Sequence, residues 1–305
     1  MSTAPRGDRR PLVLFASSPQ FPDLHDDWPL ERAALDEAGI DARTAVWSDP
    51  GVEWSACDLV VANGVWDNIH HAAAFFGWLD HLTAQRVRVV NSPATLRWNI
   101  DKRYLRDLER AGVPTVPTLW VEPGERPLRP SDLTLPAGEI VVKPSISGGG
   151  YRTARYEPHE HDEARAHVAA LVGSGRTAMV QPYQPAVDAE GETGLVFLGG
   201  DFSHAFHKDP MIRRGVGPTD SLVANQVTGP STATTTQLDV ARGAVAAAEG
   251  LLGPTTYARG DIVEGADGRP ALLELELLDP VLFFVHHPQG APRFADVLRE
   301  HLDLR

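Results

Sequence analysis

The segment Arg259-Gly260-Asp261-Ile262-Val263, followed by Leu273-Glu274-Leu275-Glu276-Leu277, decides how this chain is read. Between the two lies Glu264-Gly265-Ala266-Asp267-Gly268-Arg269-Pro270, whose Asp-Gly pair is a strong signal for a two-residue hairpin turn. With Asp267-Gly268 as the turn, Asp261 falls opposite Glu274 and Arg259 opposite Glu276. Strand side chains alternate faces, so all four share one face. Ile262, Leu273, Leu275 and Leu277 take the other face and pack on a core. Three carboxylates and an arginine on one side of a hairpin suit a hard cation. A bulge would slip this register by one residue. Read alone, the hairpin is more simply a half-exposed sheet with ordinary charges on its wet face. Such a carboxylate adds little stability, so Asp261→Asn is expected to spare the fold. Clustered acids nevertheless repel unless a cation or several donors neutralise them. The rest of the chain supplies what a metal–nucleotide site needs.

At 305 residues the chain can bury a sizeable core and divide into two or three units. Its 42% hydrophobic and 23% charged content is that of an ordinary soluble globular protein. A net charge of −13 argues against a nucleic-acid-binding surface, which needs a basic patch. A single cysteine, Cys57, permits no internal disulfide and fits a reducing cytoplasm. The apolar run Leu12 to Ala16 is too short for a signal-peptide core, and no stretch reaches the length of a membrane span.

Residues 11–98 alternate strands (Leu12–Ala16, Arg43–Trp47, Leu59–Ala62, Val87–Val90) with helices (Trp28–Ala38, Asn68–Leu82). Asp27 reads as the first N-cap and Gly39 as its stop. This pattern predicts a small parallel α/β sheet. A helix is expected over Asn99–Ala111, a strand over Val116–Val121, and a surface loop over Glu122–Pro136. The strand Glu139–Lys143 then runs into the flexible loop Pro144-Ser145-Ile146-Ser147-Gly148-Gly149-Gly150. After a helix over Glu160–Leu171 comes the proline-broken strand Met179–Tyr183. Strands Gly194–Leu198 and Ser203–His207, the hairpin and a last helix over Arg293–His301 form a largely antiparallel second layer. Gly229–Thr236 reads as a Ser/Thr-rich loop.

A Gly-rich loop after a lysine-tipped strand can close over phosphates with its backbone N–H groups. It is not a P-loop, because no Gly-x-x-x-x-Gly-Lys-Ser/Thr occurs. Alone, the loop is a plain turn and Lys143 an edge-strand charge. Lys102 upstream, Gln181-Pro182-Tyr183 and the acidic hairpin downstream strengthen the nucleotide reading.

In that order these segments resemble the ATP-grasp superfamily, in its glutathione-synthetase-like and D-alanine–D-alanine-ligase-like branches. Trp47-Ser48-Asp49-Pro50, Arg97 to Leu105 and Glu190-Gly191-Glu192-Thr193 are similar to small actinobacterial ATP-grasp ligases of amino-acid natural products. The resemblance runs from about Asn91 to Pro280 and implies an ATP-grasp fold preceded by a small parallel α/β domain. Residues 1–98 would be that domain, 99–182 the central subdomain with the Gly-rich lid, and 183–305 the C-terminal subdomain with the hairpin. It further implies ATP with Mg²⁺, for which Mn²⁺ could substitute. Lys102, Lys143, Ser147, Gly148, Gly149 and Lys208 would serve the phosphates. Gln181 and Tyr183 would flank the adenine mainly through backbone, and Glu192 would hold the ribose. Asp261, Glu274 and Glu276 would bind the metal, and Arg259 would face the reacting carboxylate. The family's metal motif usually ends in Asn, where this chain has Glu276.

The activity so implied is ligation of an amino-acid carboxylate to an amine through an acyl phosphate, releasing ADP and phosphate, in natural-product biosynthesis. Closure of a small D-cycloserine-like ring within one substrate is the alternative, and a non-catalytic nucleotide-binding protein the second. The partners expected are small amino-acid substrates, with neither nucleic acid nor membrane, and a homodimer stays open. Asp209 to Gly217 is a second lid segment, whose Lys208, Arg213 and Arg214 either reach phosphate or are solvated loop charges. His204, His207, His286 and His287 are pocket candidates, and Asn63 to Asp67 closes a strand where a substrate pocket belongs.

Overall fold

The computed structural model describes residues 9–220 and 226–303. Three sheets organise them. The first is the parallel sheet that the alternating pattern predicts, in the order β2-β1-β3-β4. It comprises β1 (Leu12–Ser17), β2 (Asp41–Val46), β3 (Leu59–Gly64) and β4 (Val89–Val90), with α1 (Trp28–Glu37) and α2 (Ala72–Ala84) in the connections. Val13 and Phe15 point into one apolar cluster while Leu14 and Ala16 point into another. Parallel strands covered on both faces read as such continuous apolar runs.

Two short helices follow, α3 (Pro93–Asn99) and α4 (Tyr104–Arg110), where a single helix over Asn99–Ala111 is expected. The Asp101 carboxylate accepts the Arg103 N–H at 3.0 Å, a local alternative to helical bonding. The Lys102 N–H donates to Ser145 O at 2.9 Å, across to the Gly-rich loop. The helix breaks so that Lys102 can be held at that point.

The second sheet is antiparallel, in the order β5-β8-β6-β7, with α5 (His161–Gly173) on one face. Its strands are β5 (Leu119–Val121), β6 (Ile140–Pro144), β7 (Ala154–Tyr156) and β8 (Ala178–Pro182). The third is also antiparallel, in the order β11-β10-β9-β12-β13. After the single turn α6 (Val187–Glu190) it takes β9 (Glu192–Leu198), β10 (Asp201–Lys208), β11 (Thr228–Ser231), β12 (Tyr257–Glu264) and β13 (Pro270–Glu276). An 18-residue helix, α7 (Thr235–Leu252), packs on it where the sequence reads as loop and unassigned chain. Its signal is a capping box: Gln237 N donates to Thr234 Oγ1, and Gln237 Oε1 accepts the Thr234 N–H. Ala241, Ala244 and Ala248 make its buried face small. The helix therefore lies close to β12, where a Cβ at Gly260 would stand 3.3 Å from Ala241 Cβ. The last helix, α8 (Gly290–Asp303), seats Phe294, Ala295 and Leu298 in the cluster shared by the first and third sheets.

Two buried asparagines tie these sheets together. Asn91 Nδ2 donates to Tyr257 O at 2.9 Å and Leu277 O at 2.8 Å, and its Oδ1 accepts Thr256 N at 2.6 Å. Asn99 Nδ2 donates to Leu275 O at 2.8 Å, and its Oδ1 accepts Leu277 N and Leu278 N at 2.7 and 3.0 Å. The chain leaving β13 has no strand to pair with there, so the amides satisfy its backbone. Asn99→Ala strands three buried backbone groups, each costing about 1–3 kcal/mol. We predict a loss of about 3 kcal/mol or more in urea unfolding, and a change within ~0.5 kcal/mol would remove this role from Asn99.

Candidate active site

The β12–β13 hairpin supplies the centre of the site. Arg259 pairs with Glu276 and Asp261 with Glu274, as the sequence predicts, but by another route. The turn is one residue longer than Asp267-Gly268: Gly268 N bonds Gly265 O at 2.9 Å, Gly265 N bonds Arg269 O at 2.8 Å, and Gly268 takes φ +74°. That is the three-residue loop built on a turn followed by a left-handed glycine. A bulge between Asp261 and Ile262 then restores the register, with Ile262 opposite Leu272. The bulge exchanges two leucines. Leu272, not Leu273, joins Ile262, Leu275 and Leu277 in the core, and Leu273 lines a cavity instead.

The polar face is buried at Arg259 and Asp261 and half-buried at Glu274 and Glu276. Asp261 is 1% exposed, with Arg259 Nε donating to its Oδ1 and Arg259 Nη2 to its Oδ2, both at 3.0 Å. Lys208 Nζ lies 2.7 Å from Asp261 Oδ2 and 2.7 Å from Glu192 Oε2. Arg259 Nη2 also donates to Glu276, and Arg259 Nη1 to Val281 O at 3.0 Å. Only one Nη1 hydrogen is left over from these bonds. Lys102 Nζ pairs with Glu274 Oε1 at 2.8 Å and donates to Ser147 O. Lys143 is buried with no carboxylate in ion-pair contact among the described residues.

These surroundings set the charges. Burial pushes the Lys143 ammonium down to about 8, against the pull of Glu274 and with the push of Lys102. Burial raises the Glu276 carboxyl to about 7 although Arg259 opposes it. Burial also disfavours the Asp261 and Glu274 charges. Arg259 and Lys208 outweigh it at Asp261, and Lys102 and Lys143 outweigh it at Glu274, so both carboxyls lie below their ordinary range. Asp279 is pushed up to about 8 by burial and by Glu276.

Two adjoining cavities open on this network. A cleft of about 250 Å³ is lined by Lys102, Ser147, Gly148, Gly149, Arg259, Glu274 and Glu276, and on its far wall by Trp66, Asn68 and Asp279. The second cavity is an apolar slot between Val141, Gln181, Tyr183, Val263 and Leu273, with Lys143 and Glu192 at its edge. Met211 lines both.

The comparisons with known proteins decide the family. The sequence profile of the N-terminal domain of D-cycloserine synthetase DcsG matches residues 13–91. The cycloserine biosynthesis protein DcsG of Streptomyces lavendulae is 36% identical over 304 residues, covering 95% of this chain and 98% of that protein. This chain belongs to the DcsG family of ATP-grasp ligases. The crystal structure of D-cycloserine synthetase DcsG superposes with a TM-score of 0.84 at 34% identity, over 95% of this chain and 99% of that one. The ATP complex of D-alanine–D-alanine ligase from Bacillus anthracis matches with a TM-score of 0.62 at 12% identity, over 96% and 97%, and shares the fold. The chain is thus an enzyme of the class that forms C–N bonds.

Within this DcsG-family chain the residues expected at the site fall into three groups. Lys102, Ser147, Gly148, Gly149, Arg259, Glu274 and Glu276 meet in the cleft, and Lys143, Gln181, Tyr183 and Glu192 at the slot. Lys208 and Asp261 form the buried joint behind both. The Tyr183 N–H donates to Glu139 O at 2.8 Å, because β8 keeps pairing with β6 past Pro182. Its ring lies under Arg155, whose guanidinium carbon is 3.3 Å from the ring centroid. Arg213 is exposed, whereas Arg214 Nε clamps the second lid to Glu139 Oε1 at 2.7 Å. The chain just after the Gly-rich loop meets the chain just after that lid where Arg152 N donates to Thr219 O at 2.7 Å.

The histidines stay outside the cleft. His204 Nε2 contacts Leu282 O at 2.8 Å, His287 stacks on His204, and His286 contacts Thr228 Oγ1 at 2.8 Å. His207 pairs with Asp209. Of Asn63 to Asp67, Trp66 reaches the cleft, while Asn63 turns to His25 and Glu31, and Asp67 accepts Trp47 Nε1. Asn68, Gln226 and Phe283 are lining residues with no motif around them, whereas Met211 falls in the expected second lid. Among the described residues, no helix is long and apolar enough to cross a membrane.

Two predictions follow from this burial. Asp261→Asn leaves Lys208 and Arg259 short of a charge partner, so it costs about 3 kcal/mol or more of stability as well as activity. An unchanged urea midpoint would show that Asp261 is not the joint described. Lys143 carries its proton below about pH 8 and loses it above. Phosphate favours the charged form, so nucleotide affinity falls as pH rises, roughly fivefold between pH 8 and 9. Calorimetry at pH 8.5 in two buffers of different ionisation enthalpy should find proton uptake on binding, reduced in Lys143→Arg; no uptake would refute it.

Proposed function

We propose that this enzyme uses ATP to activate the carboxylate of a small amino-acid derivative and closes a ring within that same molecule by forming a C–N bond. The likeness to D-cycloserine synthetase DcsG, at 34% identity over 95% of this chain, carries the ring over the intermolecular amide. The cleft beside Lys102 and Arg259, about 250 Å³, suits substrates of amino-acid size.

In this reading the adenine enters the slot beside Gln181, Leu273 and Tyr183, and Glu192 takes the ribose hydroxyls. Lys102 and Lys143 meet the phosphates, aided by N–H groups of Ser147 to Gly149, and Lys208 supports them from behind. Glu274, Glu276 and Asp261 would hold Mg²⁺, and Mn²⁺ suits the same oxygen donors. The fit rests on Glu274 and Glu276, which face the cleft with one oxygen each tied to Lys102 or Arg259. Asp261 would join them by exchanging one of its three bonds. Such a metal would supply positive charge against the negative charge that develops on phosphoryl transfer.

The substrate carboxylate oxygen bonds the γ-phosphorus and ADP leaves. The substrate nitrogen then bonds the acyl carbon, its proton departs, and the C–O bond to phosphate breaks. Arg259 presents its remaining Nη1 hydrogen to the oxyanion of that step, with its plane held by Asp261, Glu276 and Val281. An acyl phosphate hydrolyses in water, so the two lids exclude solvent by meeting over the cleft.

The test runs purified enzyme with MgATP and candidate amino-acid derivatives, with and without hydroxylamine. ADP together with a hydroxamate in the trap, and an untrapped product formed from one substrate molecule, are expected. A product joining two substrates would replace ring closure by intermolecular ligation. A stable phosphorylated product would make the enzyme a kinase, and absence of ADP with every carboxylate would make it a nucleotide-binding protein.

A further inference from the structure

The cleft has two chemically different walls. Four carboxylates at or behind the nucleotide wall each meet a cation: Asp261 with Arg259 and Lys208, Glu192 with Lys208, Glu274 with Lys102, and Glu276 with Arg259. Asp279 stands on the opposite wall and lines the same cleft. Its Oδ2 accepts a long bond of 3.4 Å from Asn68 Nδ2, and it is absent from every ion pair among the described residues. Asp279 is half-buried at the edge of the cleft, and a carboxylate that lines a cavity without an ion pair is suited to a cation arriving from outside.

The backbone around Asp279 is held in place. Trp66 Nε1 donates to Asp279 O at 3.2 Å, and Arg259 Nη1 donates to Val281 O two residues further on. Arg259, which faces the reacting carboxylate, is thus bonded to the loop that carries Asp279. The rings of Trp66 and Phe283 line the same space, and aromatic faces favour a cation.

We infer that Asp279, with Asn68 and Trp66 beside it, is the subsite for a protonated amine of the substrate, so that the enzyme selects compounds with a free ammonium beside the carboxylate it activates. This rests on the ligase reading above. Burial and the nearby Glu276 hold the Asp279 carboxyl up at about 8, against the pull of Lys102 and Arg259. An incoming ammonium pairs with the carboxylate and turns the adjoining carboxylate toward Arg259.

The experiment compares carboxylates that release ADP in the parent enzyme with their N-acetyl and α-hydroxy analogues, at fixed MgATP. The free amine should be preferred by ~10–100-fold in kcat/KM, the range for a hydrogen-bonded charge. Asp279→Asn keeps the shape and should raise KM for the amine by a similar factor. It should erase most of the preference over the α-hydroxy analogue and leave the MgATP-induced rise in melting temperature unchanged. Asp279→Glu should recover part of the preference. Equal turnover of free and N-acetylated compounds by the parent enzyme overturns the subsite, whatever the variants do, and so does an Asp279→Asn enzyme with unchanged KM. A parent enzyme that releases ADP with no carboxylate overturns the ligase reading, and the subsite with it.

Discussion

The bond from which the rest of the site is built is the pairing of Arg259 with Asp261, two residues apart on one strand and both buried. Neither charge is tolerable there alone. Each recruits further partners: Arg259 takes Glu276 and Val281 O, and Asp261 takes Lys208, which takes Glu192. Lys102 and Glu274 extend the network to the Gly-rich loop. The chain thus holds a set of interleaved cations and carboxylates between its sheets before any ligand arrives. A nucleotide and its metal bring charges of both signs, so they can exchange with existing partners rather than meet bare groups. Preorganised charge of this kind needs little rearrangement when the reaction develops its own.

That network demands an unusual hairpin. An unbroken two-residue hairpin would place Arg259, Asp261, Glu274 and Glu276 together but send Leu273 inward. The longer turn and the bulge keep the four charged residues in register and turn Leu273 toward the apolar slot. Small side chains on α7 and Gly260 on β12 let the covering helix approach closely. Asn91 and Asn99 then tie the chain after β13 to the first sheet and to the segment carrying Lys102. The cleft is therefore bounded by parts of all three sheets, each held by polar atoms that have no water to turn to.

Much of this was legible in the residues. The parallel first sheet follows from apolar runs separated by helix signals, because strands buried on both faces carry no alternation to hide them. The charged pairing of the hairpin is legible because side-chain period alone puts Arg259, Asp261, Glu274 and Glu276 on one face. Helix α7 was not: its capping box lies in a Ser/Thr-rich stretch, and alanine is a weak marker of a buried face. The break at Lys102 was not legible either, since helix propensity says nothing of a distant Ser145 carbonyl that competes for its N–H.

The order of lysines, glycine loop and acidic hairpin belongs to the sequence alone, and with it the nucleotide chemistry and the family. Local rules suffice there, because strand alternation and turn residues act over a few positions. Burial belongs to the tertiary structure. Asp261 became a buried joint because β9 and β10 bring Glu192 and Lys208 to its face of the sheet, contacts made across gaps of many residues. Tertiary structure also brought Trp66, Asn68 and Asp279 together in the cleft, joining Asn68 to Asp279 across 211 positions by a hydrogen bond, with Trp66 bonded to Asp279 beside it. No spacing encodes such a grouping; it exists only once the first and third sheets have been packed together.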